Sequence, residues 1–240
     1  AEHPESYHSV VRREVTEPLG LDPARVHVPD GDEATIATAG ERYEAVLAAH
    51  GGVDLQLLGI GTDGHVGFNE PGSSLASSTR IKTLTAQTRA DNARFFDTAG
   101  QVPTHCITQG IGTILRARHL VLLAFGAGKA DAVARAVEGP VTATVPGSCI
   151  QLHEHVTVVI DEPAAERLEH AVEGHGDVRD VVLGEEREQR AHEPPRRADL
   201  PTVGPPGRIV VVETIARCHR LDRQHIARRF VTAAFHRGQG

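Results

Sequence analysis

Apolar positions in this chain cluster in short runs separated by mixed segments. Residues 53–58 (VDLQLL), 119–125 (HLVLLAF) and 156–161 (VTVVID) are each mostly apolar and rich in Val, Leu and Ile. Such runs predict strands buried on both faces, as in a parallel sheet. The intervening segments carry helical signals. The pattern predicts a helix over residues 5–18, the end of another over residues 43–50 that stops at Gly51 and Gly52, and a third over residues 89–96. A fourth opens at Gly128 and Lys129 and runs to about Val137. Residues 73–88 form a polar stretch without a clear period. Strands alternating with helices imply βαβ units, so the expected class is α/β: an open parallel Rossmann-like sheet with flanking helices. Ligands of such sheets bind beyond the carboxyl ends of the strands, where the loops after Gly59 and before Lys129 fall.

The pattern changes near Leu168. Residues 1–168 read as one domain. Residues 169–240 stay unassigned, because residues 185–197 (EEREQRAHEPPRR) are charged and broken by proline, and residues 201–207 form a Pro/Gly linker. Within that stretch, residues 209–212 suit a strand and residues 214–235 a basic helix.

Composition narrows the classes of function. With 3% aromatic residues and no Trp, the core must be aliphatic. A formal net charge of -7 excludes a general nucleic-acid binder, which needs a basic surface to displace counterions. Cys106, Cys149 and Cys218 show no CxxC spacing, so neither a zinc site nor a disulfide framework is signalled, and a reducing cytoplasm is the expected compartment. No apolar run approaches the roughly 18 residues a membrane helix needs, so no membrane partner is expected. Lys82 and Lys129 are the only lysines among 25 Lys plus Arg. A lysine kept in so arginine-biased a chain points to a role that needs a compact ammonium. The chain has no Met and opens on Ala1, which reads as a sequence lacking its natural start.

The chemistry concentrates in residues 59–71, GIGTDGHVGFNEP. Gly59, Gly61 and Gly64 satisfy GxGxxG after a strand, but a dinucleotide loop must run straight into a helix and meet an acid about 20 residues on. Here Pro71 and Gly72 interrupt, and residues 73–82 contain no acid. The side chains suggest a different use. Asp63 and His65 flank Gly64, so both can face one side while the glycine lets a ligand approach the backbone. A carboxylate beside an imidazole fixes its tautomer and suits it to proton shuttling, and Glu70 is placed to return as a second carboxylate. The plainer alternative is a capped glycine turn in which Asp63 bonds backbone amides and His65 is merely exposed. His153 and His155 make an HxH pair without an evident third ligand, so they read as structural and no metal is expected.

The loop, together with HPESY (residues 3–7), SSLAS, TRIKTLT, NARFF, AVEG, QLH and VIDEPAA (residues 159–165), resembles the glucosamine-6-phosphate deaminase/isomerase family. The sister family, the 6-phosphogluconolactonases, shares the Gly-Asp-Gly-His core, but FNEP is the deaminase continuation. The resemblance implies conversion of glucosamine 6-phosphate and water to fructose 6-phosphate and ammonia, without a cofactor. His65 then matches the acid/base that opens the pyranose ring, with Asp63 and Glu70 as assisting carboxylates. Arg94 and Lys129 match the ligands of the substrate phosphate. Ser73, Arg80 and Lys82 match positions where regulated members bind N-acetylglucosamine 6-phosphate between subunits of a hexamer. The implied partners are a small sugar phosphate and other copies of the chain, as a homo-oligomer of hexamer size or smaller. The aspartate that moves the C2 proton, the first strand and its phosphate loop are expected upstream of residue 1. A lactonase-like hydrolase and an inactive sugar-phosphate-binding fragment are the alternatives.

Overall fold

The computed structural model describes residue 4 and residues 6–32, 34–169, 180–183 and 210–212. Side chains of residues 87, 91, 92, 94, 99, 180–183 and 210–212 fall outside that description. The chain opens with α1 (Tyr7–Val11), capped by Ser6, whose hydroxyl accepts the Ser9 N–H, and continues as a π-helical turn, Arg12–Thr16. α2 (Ile36–Ala49) turns Ala39, Tyr43 and Leu47 inward at helical spacing and stops where the Gly52 N–H returns to the Leu47 carbonyl at 2.9 Å. Next come β1 (Leu55–Gly59), β2 (Arg80–Thr83), α3 (Ala86–Asn92), β3 (His105–Thr108), α4 (Ile111–Ile114) and β4 (Leu120–Ala124). They are followed by α5 (Ala130–Val137), β5 (Val156–Ile160), α6 (Glu162–Ala165), β6 (Asp180–Leu183) and β7 (Val210–Val212).

Five strands form one parallel sheet in the order β6-β5-β4-β1-β7, and β2 pairs with β3 in a separate antiparallel ribbon. The mostly apolar runs follow from burial on both faces. Leu58, Ile60, Leu122, Val158 and Ile160 pack with Tyr43, Leu47, Ile114, Val133 and Ile150 on one face. Leu57, Val121, Leu123 and Val159 pack with Leu19, Leu55 and Phe125 on the other. Leu58 and Leu122, paired in register, are fully buried, and truncating either to Ala would cost about 2–5 kcal/mol. Cys149 sits in the same core, where burial pushes its thiol up to about 12, out of reach of thiolate chemistry near neutral pH.

The register also sets the site. Gly59 lies opposite Leu123, so β1 and β4 release their loops side by side at the carboxyl edge of the sheet.

The α/β class and parallel sheet expected from the sequence are what is observed, and several boundaries differ. Residues 5–18 do not make one α-helix, because the hydrogen bonding widens to the π pattern at Arg12. The helix expected at residues 89–96 begins at Ala86, where Thr85 caps it by accepting the Thr88 N–H. The polar stretch hides β2, a four-residue strand whose partner lies 22 or more residues away, a pairing that local pattern does not encode. In the unassigned stretch, β7 falls within the strand expected at residues 209–212, and β6 also joins the sheet. The basic helix expected at residues 214–235 lies outside the described residues.

Candidate active site

The segment after β1 folds back on itself and enters no helix, which removes the dinucleotide-loop reading. Ile60 bridges Val66, the Gly61 N–H donates to the His65 carbonyl at 2.8 Å, and the Gly64 N–H donates to the Gly61 carbonyl at 3.0 Å. Two glycines make this turn possible. Gly64 has φ +93, a left-handed conformation that favours glycine. A Cβ on Gly61 would lie 2.3 Å from two atoms of the His65 ring, so the imidazole rests directly on backbone. Outside the turn, the Gly147 N–H holds the Gly64 carbonyl at 2.7 Å, and the buried Asn69 amide donates to the Val66 and Gln109 carbonyls at 3.0 and 2.8 Å.

The predicted catalytic residues converge. Asp63 Oδ1 accepts the His65 backbone N–H at 3.1 Å and lies 2.7 Å from His65 Nδ1. A carboxylate cannot donate, so a neutral ring carries its proton on Nδ1 and presents the Nε2 lone pair outward. Burial alone would raise the Asp63 carboxyl; the His65 backbone N–H, the charge of the protonated ring and its N–H together hold it below the ordinary aspartate value. Glu70 approaches the same ring nitrogen from behind, with Oε2 at 3.8 Å, and its side chain is only 4% exposed. Its other oxygen, Oε1, accepts the Thr88 hydroxyl at 2.5 Å, with the Thr85 hydroxyl at 3.4 Å. The plainer capped-turn alternative is half right: Asp63 does bond a backbone amide, but His65 is held between two acids.

Lys129 reaches this loop from the end of β4. Its ammonium donates to the Ile60 carbonyl at 2.6 Å, which places a cation at the base of the turn that carries His65. Arg94 lies in the 3-10 turn Ala93–Phe95 that extends α3, and its side chain lies outside the described residues. Ser73 is buried beneath Glu70, donating its hydroxyl to the Glu70 carbonyl at 2.6 Å. Arg80 and Lys82 are two residues apart on β2 and so share one face of the ribbon, opposite Thr108 and Cys106.

Three ligand atoms of Asp63, His65 and Glu70 lie within 4.8 Å of one another, close enough to hold a cation. An ion there would have to displace the Asp63–His65 hydrogen bond, and the paired donor and acceptor suit proton transfer better. The HxH pair is structural in its surroundings: His153 Nε2 meets the Ala117 carbonyl at 2.7 Å, and its Nδ1 accepts the His155 N–H at 3.0 Å. A separate pocket of about 110 Å³ lies between α2 and α4, lined by Glu44, Leu47, Val53, Thr113 and Arg116, and shares no residue with the loop.

Sequence reasoning missed Thr85 and Thr88. Threonine at a cap position three residues before another threonine was the available signal, but nothing local says that the pair reaches back to Glu70.

The profile of the family described as glucosamine-6-phosphate isomerases/6-phosphogluconolactonase matches residues 1–159. A glucosamine-6-phosphate deaminase of Bifidobacterium longum (strain DJO10A) is 64% identical over 179 residues, covering 70% of this chain and 66% of its own. One from Streptomyces coelicolor (strain ATCC BAA-471 / A3(2) / M145) is 68% identical over 172 residues, covering 71% and 66% respectively. The chain thus spans 66% of the length of these curated relatives. Among solved structures, a monomeric glucosamine-6-phosphate deaminase aligns with TM-score 0.67 at 40% identity, covering 69% of each chain. The 6-phosphogluconolactonase of Trypanosoma cruzi aligns with TM-score 0.53 at 20% identity, covering 71% of this chain and 69% of that one, a likeness of fold alone.

Proposed function

Because this chain belongs to the family of glucosamine-6-phosphate isomerases and 6-phosphogluconolactonases, we propose that it is a glucosamine-6-phosphate deaminase whose ring-opening step is carried by His65. The observation that carries the reading is the imidazole held at Nδ1 by Asp63 and backed by Glu70, with Nε2 directed away from both. Nε2 takes the proton of the anomeric hydroxyl, the bond from C1 to the ring oxygen breaks, and the same proton passes to that oxygen. The products of this step are an open-chain aldehyde and a neutral ring ready for another turn. The intermediate imidazolium is stabilised by the two carboxylates, and such general acid–base catalysis is worth roughly 10²–10⁴-fold.

Lys129 and Arg94 neutralise the substrate phosphate, for which a metal-free site needs side-chain cations. The identity of the relatives also favours the deaminase over the lactonase, since those at 64% and 68% are deaminases. A phosphorylated amino sugar as substrate, a homo-oligomeric assembly with Ser73, Arg80 and Lys82 at an effector site, and a cytoplasmic location complete the reading. No helix among the described residues is long and apolar enough to cross a membrane.

The test is to incubate the purified chain with glucosamine 6-phosphate carrying carbon-13 at C1. Anomer exchange measured by NMR exchange spectroscopy reads ring opening alone, and released ammonia reads the whole reaction. Exchange with ammonia supports the deaminase, and exchange without ammonia supports a chain competent only in the first step. Absence of both refutes the proposal.

A further inference from the structure

The two oxygens of the Glu70 carboxylate are in different circumstances. Oε1 receives the Thr88 hydroxyl at 2.5 Å, whereas Oε2 is buried, has no hydrogen-bond partner among the described residues and stands 3.8 Å from His65 Nδ1. Proteins rarely leave a buried carboxylate oxygen unpaired, since the group loses its water and gains nothing in return. Nor can Oε2 take the Nδ1 proton, because Asp63 already holds it at 2.7 Å. What Oε2 can do is face the positive charge that the ring acquires when Nε2 takes a proton, across a short and poorly solvated gap.

That service requires an ionised carboxylate in a fixed rotation, and a single donor meets both conditions. Hydrogen bonding to the charged form favours that form, and a bond to Oε1 leaves Oε2 only one direction to point. The donor is itself oriented. Thr85 Oγ1 lies 3.0 Å from Thr88 Oγ1, better placed than its 3.4 Å approach to Glu70, so its proton goes to Thr88 and the Thr88 proton is turned toward Glu70. Thr85 also caps α3 by accepting the Thr88 N–H at 3.1 Å, which fixes the backbone from which Thr88 projects. Two hydroxyls in series polarise one another and strengthen the final bond. Thr88 is itself buried, so water does not take its place readily.

We propose that Thr88 is a positioning residue for the ring-opening chemistry, its hydroxyl pinning one oxygen of Glu70 so that the other faces the His65 ring. The claim rests on the deaminase reading for its consequence but not for its geometry. The charged groups around the ring are Asp63 and Glu70, with Lys129 on the Ile60 carbonyl and Arg135 on the Thr62 carbonyl of the same loop. Of these, Glu70 is the group that Thr88 bonds, so a difference between variants is read at Glu70.

The experiment compares the whole chain with Thr88→Val, Thr88→Ala and Thr88→Ser, each checked for an unchanged amide spectrum. Signals of the His65 ring are assigned by their loss in His65→Gln and followed against pH by NMR. In Thr88→Val and Thr88→Ala the buried carboxylate loses the donor that fixes its rotation and Oε2 no longer faces the ring, so the His65 titration curve moves to lower pH by about one unit. Anomer exchange of glucosamine 6-phosphate falls about tenfold in kcat, with KM within about twofold, as expected when a group acts only on the charged state. Thr88→Ser keeps the hydroxyl and restores both readings. An unmoved His65 curve in folded Thr88→Val or Thr88→Ala, or a Ser variant that behaves like Val, overturns the proposal. A moved curve in a chain whose wild type opens no sugar leaves the positioning role standing and removes the deaminase. Sugar opening with an unmoved curve does the reverse.

Discussion

The loops after β1 and β4 leave the sheet side by side and begin alike, Gly59-Ile60-Gly61 and Gly126-Ala127-Gly128, yet they do different work. The first is eleven residues of folded-back backbone from Ile60 to Glu70, bonded to itself and to Gly147 and Gln109, and it carries Asp63, His65 and Glu70. The second is a single 3-10 turn into α5 that delivers one cation, Lys129, to the Ile60 carbonyl of the first. Glycine marks the contrast. At Gly61 a Cβ would strike the His65 ring at 2.3 Å, whereas at Gly128 it would meet nothing within 4 Å. A proton-transfer site needs its groups held within a fraction of an ångström, so its loop is over-determined. The role proposed for Lys129, screening a phosphate, acts over a longer range and tolerates a simple turn.

The most damaging way to test this contrast is to remove the imidazole. His65→Gln leaves Lys129 untouched, so kcat for anomer exchange falls by about 10²–10⁴-fold while KM stays within about twofold. Equal losses in kcat and affinity would mean that the two loops do not divide the work. Next in size is the paired substitution of the two glycines. Gly61→Ala pushes the ring out of place and lowers kcat about 100-fold, as misplacement by an ångström does. Gly128→Ala changes kcat by less than about twofold and raises stability slightly, by about 0.4–1 kcal/mol, if the backbone accepts alanine. Matching effects at the two positions would erase the distinction.

The smallest effect lies in acid. The Asp63 carboxyl sits below its ordinary 3.8 in the folded chain, so its stabilising contribution is fully present above that value. It disappears as the pH falls through the lower folded value. Urea unfolding of wild type and Asp63→Asn should therefore differ above about pH 4 and converge below it, by under about 1 kcal/mol because the pair is partly solvated. A gap that widened with acid would reverse the sign and contradict the geometry.

Much of the site was legible because the residues concerned are neighbours in the chain. Asp63, Gly64 and His65 make a turn whose bonds are local, and a strand ending in glycines told where that turn would sit. Glu70 needed only the short return through Val66 and Asn69. Thr88 was not legible: it lies 18 residues beyond Glu70 and reaches it only through the placement of α3. The ribbon of β2 and β3 was hidden for a similar reason, because a four-residue strand bearing Arg80 and Lys82 has no apolar period to announce it.

What the sequence determined by itself was the alternation of strand and helix, through short runs that are mostly apolar and must be covered on both faces. It also determined the chemistry of one turn, because short-range bonds between a carboxylate, a glycine and an imidazole do not depend on distant chain. Tertiary structure decided which groups meet that loop from outside: Lys129 at the Ile60 carbonyl and the two threonines behind Glu70. Those meetings depend on the register of β1 against β4 and on where α3 docks. Both arise from packing across the whole sheet, which no local stretch of residues encodes.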